Sequence, residues 1–148
     1  MKLAPAVLLV LVGCAAKDPT LDGSWLTPIN QSCSIGITFD TVAGTYNTGA
    51  ICALQSGQFA ADMEAGDADF SKAGQVMMTP RQASCPESPH RQETSVYFFD
   101  HGKLVLSSAT AGVAAVFERA GDSAPPATTI LFGCWTMGTF TAHPISSL

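Results

Sequence analysis

The chain has 148 residues, a formal net charge of −5, and 13% charged against 47% hydrophobic residues. That balance belongs to a globular chain rather than a disordered one. Its acidity argues against nucleic acid and anionic lipid head groups as partners, since both need a basic face. The length suits one domain, able to bury about two-thirds of its unfolded surface.

The N-terminus reads first. Lys2 is followed by an apolar run, Leu3 to Val12, and Gly13 stands just before Cys14. Spanning a bilayer takes about 20 apolar residues, so this run is too short. A basic start, a short apolar centre and a small-residue exit are the pattern of a removable secretory signal. Leu11-Val12-Gly13-Cys14 resembles the bacterial lipoprotein lipobox. The resemblance implies a diacylglycerol on the Cys14 thiol, cleavage before it, and acylation of the new amine. One acyl chain anchors only marginally, whereas two or three hold a protein on a membrane. Ala15 and Ala16 follow the cysteine, and the absence of Asp there implies, by the same resemblance, the outer membrane rather than the inner one. The expected organisation is therefore a signal peptide over 1–13, a lipidated tether over 14–22, and a β domain over 23–148. Residues 122–148 form a C-terminal extension of that domain.

With Cys14 assigned to lipid, Cys33, Cys52, Cys85 and Cys134 remain. An even number in an exported chain reads as disulfides. After a short strand at Gly23-Ser24-Trp25-Leu26, the residues Cys33, Ile35, Ile37 and Phe39 alternate with small or polar neighbours, a half-buried strand. A two-residue loop at Val42-Ala43 would set Phe39 opposite Tyr46, Ile37 opposite Thr48 and Cys33 opposite Cys52. Cys33–Cys52 would staple that hairpin, leaving Cys85–Cys134 as the second bond.

Further along, Phe59, Ala61 and Met63 alternate, Gly66-Asp67 interrupts, and Ala68 to Phe70 resumes. Val76 to Thr79 is a strand closed by Pro80, and 81–93 is a polar loop. Two apolar runs flank Asp100-His101-Gly102-Lys103, a hairpin signal. "GVAAVFERA" is a strand, "GDSAPPA" a linker, and "TTILFGCWTMGTFTA" one long final strand. Outside the signal no helical stripe is present. The expected fold is all-β, a small antiparallel barrel or sandwich.

"LDGSW", "ITFD", "GTY", "GKLVLSS" and "AVFER" resemble the bacterial lipocalin-like and META-type lipoproteins over Leu21 to Arg119. That resemblance implies a barrel running from a Gly-x-Trp strand to a last strand ending in Phe-x-Arg, with nothing matching after Gly121. Trp25, Cys33 and Cys52 also resemble the small barrel inhibitors of secreted bacterial metalloproteases, which use their N-terminal segment.

No catalytic motif is present: neither Gly-x-Ser-x-Gly, nor His-Glu-x-x-His, nor a glycine-rich phosphate loop. Cys85, His90, Cys134 and His143 fit no compact zinc spacing, and disulfide bonding is the preferred fate of those cysteines. Asp62, Glu64, Asp67 and Asp69 lack calcium-loop spacing and read as a solvated face. No metal and no cofactor are expected. Trp25, Phe39, Tyr46, Phe99, Phe117 and Trp135 line a ligand cavity or, by preference, fill the core. The expected function is a non-enzymatic, lipid-anchored protein of the cell envelope that binds a small apolar ligand or a partner envelope protein. The alternative is a periplasmic protease inhibitor, which would need residues 15–22 free.

Overall fold

The alternation seen in the sequence becomes twelve strands in the structure, a computed structural model that describes residues 19–54, 57–108, 112, 114–121 and 129–148. The signal segment, Cys14 with the tether to 18, and 122–127 of the linker lie outside the described residues. The strands are β1 (Gly23–Pro28), β2 (Cys33–Asp40), β3 (Thr45–Ala53), β4 (Phe59–Ala61), β5 (Glu64–Asp69) and β6 (Gln75–Ala83). They continue with β7 (Glu93–Asp100), β8 (Lys103–Ser108), β9 (Ala114–Arg119), β10 (Ile130–Thr136), β11 (Thr139–Ala142) and β12 (Ser146–Ser147).

Eight of them, β1-β2-β3-β5-β6-β7-β8-β9, pair antiparallel in that order. The last pairs with the first through Trp25–Arg119 and Leu26–Glu118, so the sheet closes into a barrel of lipocalin-like shape. Closure removes both edges that an open sheet would expose. A three-stranded wing, β4, β10 and β11, branches from the distal part of β3, where Ile51 to Ala53 pair with β4 instead of β5. β4 and β10 run parallel, and β10 and β11 form a hairpin.

The resemblance motifs meet at the closed end. A 3-10 turn, Pro19–Leu21, brings Leu21 to full burial, and the Trp25 indole donates to the Leu21 carbonyl at 3.0 Å. The Arg119 guanidinium lies 4.2 Å over the Trp25 ring and donates to the carbonyls of Thr20 and Asp22. Such a cation over an indole adds about 0.5–2 kcal/mol, more as it is desolvated. Gly23 has φ +105°, so the backbone demands glycine there, and a Cβ would also touch the Arg119 guanidinium. Above this plug, Phe39, Phe70, Val76 and Leu104 complete a buried core with Ile37, Tyr46, Met78, Tyr97 and Phe117.

The β2–β3 register is the expected one: Phe39–Tyr46, Ile37–Thr48 and Cys33–Cys52 are opposed, and both disulfides, Cys33–Cys52 and Cys85–Cys134, are formed. Their Cα atoms are 4.0 and 5.2 Å apart. The loop itself is longer than two residues. Pairing ends at Asp40–Thr45, because the Asp40 carboxylate accepts from the Val42 and Ala43 amides and shapes a four-residue turn.

Three expectations are corrected. Gly66-Asp67 does not interrupt a strand; β5 runs through it with a register shift between Ala65 and Gly66. Pro80 does not close β6, which continues to Ala83. The shift places Pro80 at the irregularity, where its missing N–H is tolerated. The final segment is not one long strand, since Met137 and Gly138, at φ +51° and +82°, fold it back as a tight two-residue turn.

Candidate functional site

Parity along the strands decides what faces the barrel axis. At the closed end those positions are large and apolar. At the other end the same faces carry Thr48, Glu64, Glu93, Ser95, Ser108 and Ala115, too small or too polar to fill the space. The result is a cavity of about 310 Å³ at the open mouth, walled by Ile37, Met78, Leu106 and Phe117 and rimmed by Arg91 and Glu93. The barrel is thus solid below and hollow above. Of the six residues named as cavity or core, Tyr46 and Phe117 reach this space, and Trp25 and Phe39 are core. Phe99 packs against the core, and Trp135 stands in the wing, 4.9 Å from Phe140.

One polar network runs from the mouth to the loop outside it. The Tyr46 hydroxyl donates to Glu64 Oε1 at 2.8 Å, and His90 Nδ1 meets Glu64 Oε2 at 2.6 Å. His90 Nε2 lies 2.6 Å from the Cys85 carbonyl oxygen. A carboxylate and a carbonyl only accept, so the arrangement favours the imidazolium, in which both ring nitrogens donate. The Glu64 carboxylate raises the His90 pKa first, partial burial opposes it, and the Cys85 carbonyl adds to the rise. Burial and then the Glu64 hydrogen bond raise the Tyr46 pKa as well, so its phenol keeps its proton. His90 therefore straps the 84–92 loop to the barrel wall. The loop is fixed again by Cys85–Cys134 and by the Ser84 hydroxyl, which donates to the Gly133 carbonyl at 2.8 Å.

This strap predicts a pH dependence. A histidine whose pKa is raised on folding contributes stability in full below its ordinary value of 6.5 and loses it as pH rises through the raised value. The thermal midpoint of the native chain should fall over that alkaline-going window relative to its His90→Ala variant. Parallel profiles for the two proteins would refute the strap.

A second depression, about 370 Å³, lies outside the barrel between the outer faces of β1–β3 and the wing. Leu26, Ile51, Ala61, Ile130 and Phe132 line it, and Gly36 lies between the Leu26 and Ile51 side chains, where a Cβ would stand 3.2 and 3.7 Å from them. Gly49 lies beside it. There the chain steps from β4 to β5 across β3, and any Cβ would collide with the Asp62 carbonyl oxygen. Asp62 Oδ1 accepts from the Ala50 amide at 2.7 Å, pinning the step.

The four acids do not act together. Asp62 holds backbone, Glu64 holds Tyr46 and His90, Asp67 pairs with Arg81, and Asp69 caps Ser71. Among the described residues no group of three metal-ligating side chains converges. Cys85 and Cys134 are spent on each other, while His143 sits beside Pro144. The Glu64–His90–Tyr46 network escaped the sequence reading because its members are distant in the chain. The available signal was polar residues at inward parity on the distal halves of otherwise apolar strands.

No family model, curated protein or solved structure matches the chain.

Proposed function

We propose that the chain is a non-enzymatic, lipid-anchored binding protein of the cell envelope, holding a small, mainly apolar ligand in the open mouth of its barrel. The observation that carries this reading is the core that stops halfway. Ile37, Met78, Leu106 and Phe117 offer an apolar wall, while Glu64, Arg91 and Glu93 meet a polar end at the rim. A concave, mostly apolar site with a few polar groups, at the low end of the usual 300–1,000 Å³ range, suits a compact molecule. The lipobox-like stretch Leu11 to Cys14 supports the anchor, and Ala15 in place of Asp directly after the cysteine supports the outer membrane.

Two features favour binding over catalysis or inhibition. His90 has a carboxylate partner, but its other nitrogen faces the Cys85 carbonyl instead of a nucleophile, and the Ser84 hydroxyl is committed to Gly133. The inhibitor alternative needs a free N-terminal trunk, whereas Leu21 is buried and the Thr20 and Asp22 carbonyls are held by Arg119.

Titration with the neutral fluorescent probe N-phenyl-1-naphthylamine tests the site. Ala115 lines the mouth, so Ala115→Phe should fill it and weaken binding at least about tenfold, or 1.4 kcal/mol. Gly36→Leu, which fills the outer groove, should leave affinity unchanged. The reverse pattern would move the site to the groove, and no binding by the native chain would reject the proposal.

A further inference from the structure

The cavity at the mouth of the barrel ends on a hydroxyl. The inward face of β7 carries Glu93, Ser95, Tyr97 and Phe99, so Ser95 stands one step below the rim and one step above the aromatic core. Its cross-strand neighbours are Val76, fully buried on β6, and Ser108 on β8. Ser95 itself is 2% exposed, and it lines the cavity. Serine is seldom buried to that degree, and a buried hydroxyl is normally paired. The other hydroxyls around the cavity follow that rule: Tyr46 donates to Glu64, Thr48 to the Gly36 carbonyl, and Ser108 to Glu93. The Ser95 hydroxyl has no hydrogen-bond partner among the described residues. Alanine would occupy the position without burying a polar group.

We infer that the ligand enters the mouth with an uncharged hydroxyl or carbonyl leading, and that this group pairs with Ser95. This rests on the reading of the mouth as a binding site and adds the chemistry of the ligand's buried end. A serine hydroxyl both donates and accepts, so an alcohol, a phenol or a ketone can satisfy it. An ionised group does not suit the place. The charged residues that line the cavity, Glu64, Arg91 and Glu93, stand at the mouth, and Met78, Leu106 and Phe117 wall the space beside them, where an unpaired charge is costly. A pure hydrocarbon fits those walls, but it strips the Ser95 hydroxyl of water and returns no bond. Two residues of strand carry the chain from Glu93 to Ser95, about 7 Å at about 3.4 Å per residue, the length of a two-ring aromatic. The ligand class is a compact, uncharged alcohol, phenol or ketone of about that length.

Displacement of N-phenyl-1-naphthylamine by 2-naphthol and by 2-methylnaphthalene tests this, because the two competitors differ only in a hydroxyl for a methyl. They also differ in hydrophobicity, so the readout is the ratio of their affinities and its change on mutation. Ser95→Ala should weaken 2-naphthol about tenfold and leave 2-methylnaphthalene bound as tightly or more so. Ser95→Thr, which keeps a hydroxyl, should keep the native ratio. Since the Ser95 hydroxyl bonds nothing else among the described residues, the thermal midpoint of Ser95→Ala should equal or exceed the native one. A ratio that Ser95→Ala shifts by less than about twofold overturns the inference and leaves the mouth standing as an apolar site. A midpoint several degrees lower also overturns it, since the hydroxyl would then serve the fold. A native chain that binds none of the three compounds rejects the mouth itself, and the inference with it.

Discussion

Trp25→Ala should be among the most damaging single substitutions in this chain, costing about 3–5 kcal/mol in a urea unfolding midpoint. The indole is 1% exposed and joins three things at once: the Leu21 plug through its N–H, Arg119 through its face, and Phe99 at 5.8 Å. Removing it leaves a cavity at the closed end and takes the ring from under the Arg119 guanidinium. Against a net stability of about 5–15 kcal/mol for a domain, that loss leaves a substantially unfolded population at elevated temperature. A change within about 1 kcal/mol, the mean for unremarkable substitutions, would show that the plug does not close the barrel as described.

The second large effect is local. Removing both Cys85 and Cys134 by alanine substitution should release the wing before the barrel unfolds. On the loop-entropy account, a bond closing 49 residues contributes about 4 kcal/mol. What else holds the segment from β10 to β12 is modest: a three-pair parallel ladder to β4, two pairs from β12 to β6, and the Ser84 hydroxyl on the Gly133 carbonyl. Amide hydrogen exchange should therefore accelerate across β10, β11 and β12 while β1–β3 and β7–β9 keep their protection. Equal acceleration in both sets would mean that wing and barrel unfold as one unit. Cys33–Cys52 closes a shorter loop of 19 residues inside a hairpin already paired over eight positions. Its removal should speed exchange throughout the barrel without selecting the wing.

What the sequence made legible follows from how local the responsible physics is. Period-two alternation over Cys33 to Phe39 fixed the hairpin register, because a slip of one residue would send Ile37 and Phe39 outward. The same register opposed two cysteines, so one pattern delivered both strand pairing and disulfide. That Gly23-Ser24-Trp25 and Phe117-Glu118-Arg119 begin and end a barrel was implied by the family resemblance alone, and the two strands do meet. The wing was less readable because its order depends on pairing between β4 and β10, which lie far apart in the chain, one of them only three residues long. The turn at Met137-Gly138 was hidden by a residue that turn chemistry disfavours. Pro80 misled for a similar reason: a proline ends a regular strand but not one that shifts register beside it. The mouth of the barrel was the least legible part. Its network joins Tyr46, Glu64 and His90 from two strands and a loop, and only the pairing of β3 with β5 and the fold-back of the loop after β6 bring them together.

The central claim is that the ligand enters the barrel rather than the groove beside it, and methyl-resolved NMR during titration with N-phenyl-1-naphthylamine tests it most directly. Met78, Leu106 and Ala115 point into the mouth, while Leu26, Ile51 and Ile130 line the outer groove. Saturable shifts at the first three, with the second three unmoved, are the result expected. Shifts confined to Leu26, Ile51 and Ile130 would contradict it and place the binding site on the outside of the barrel.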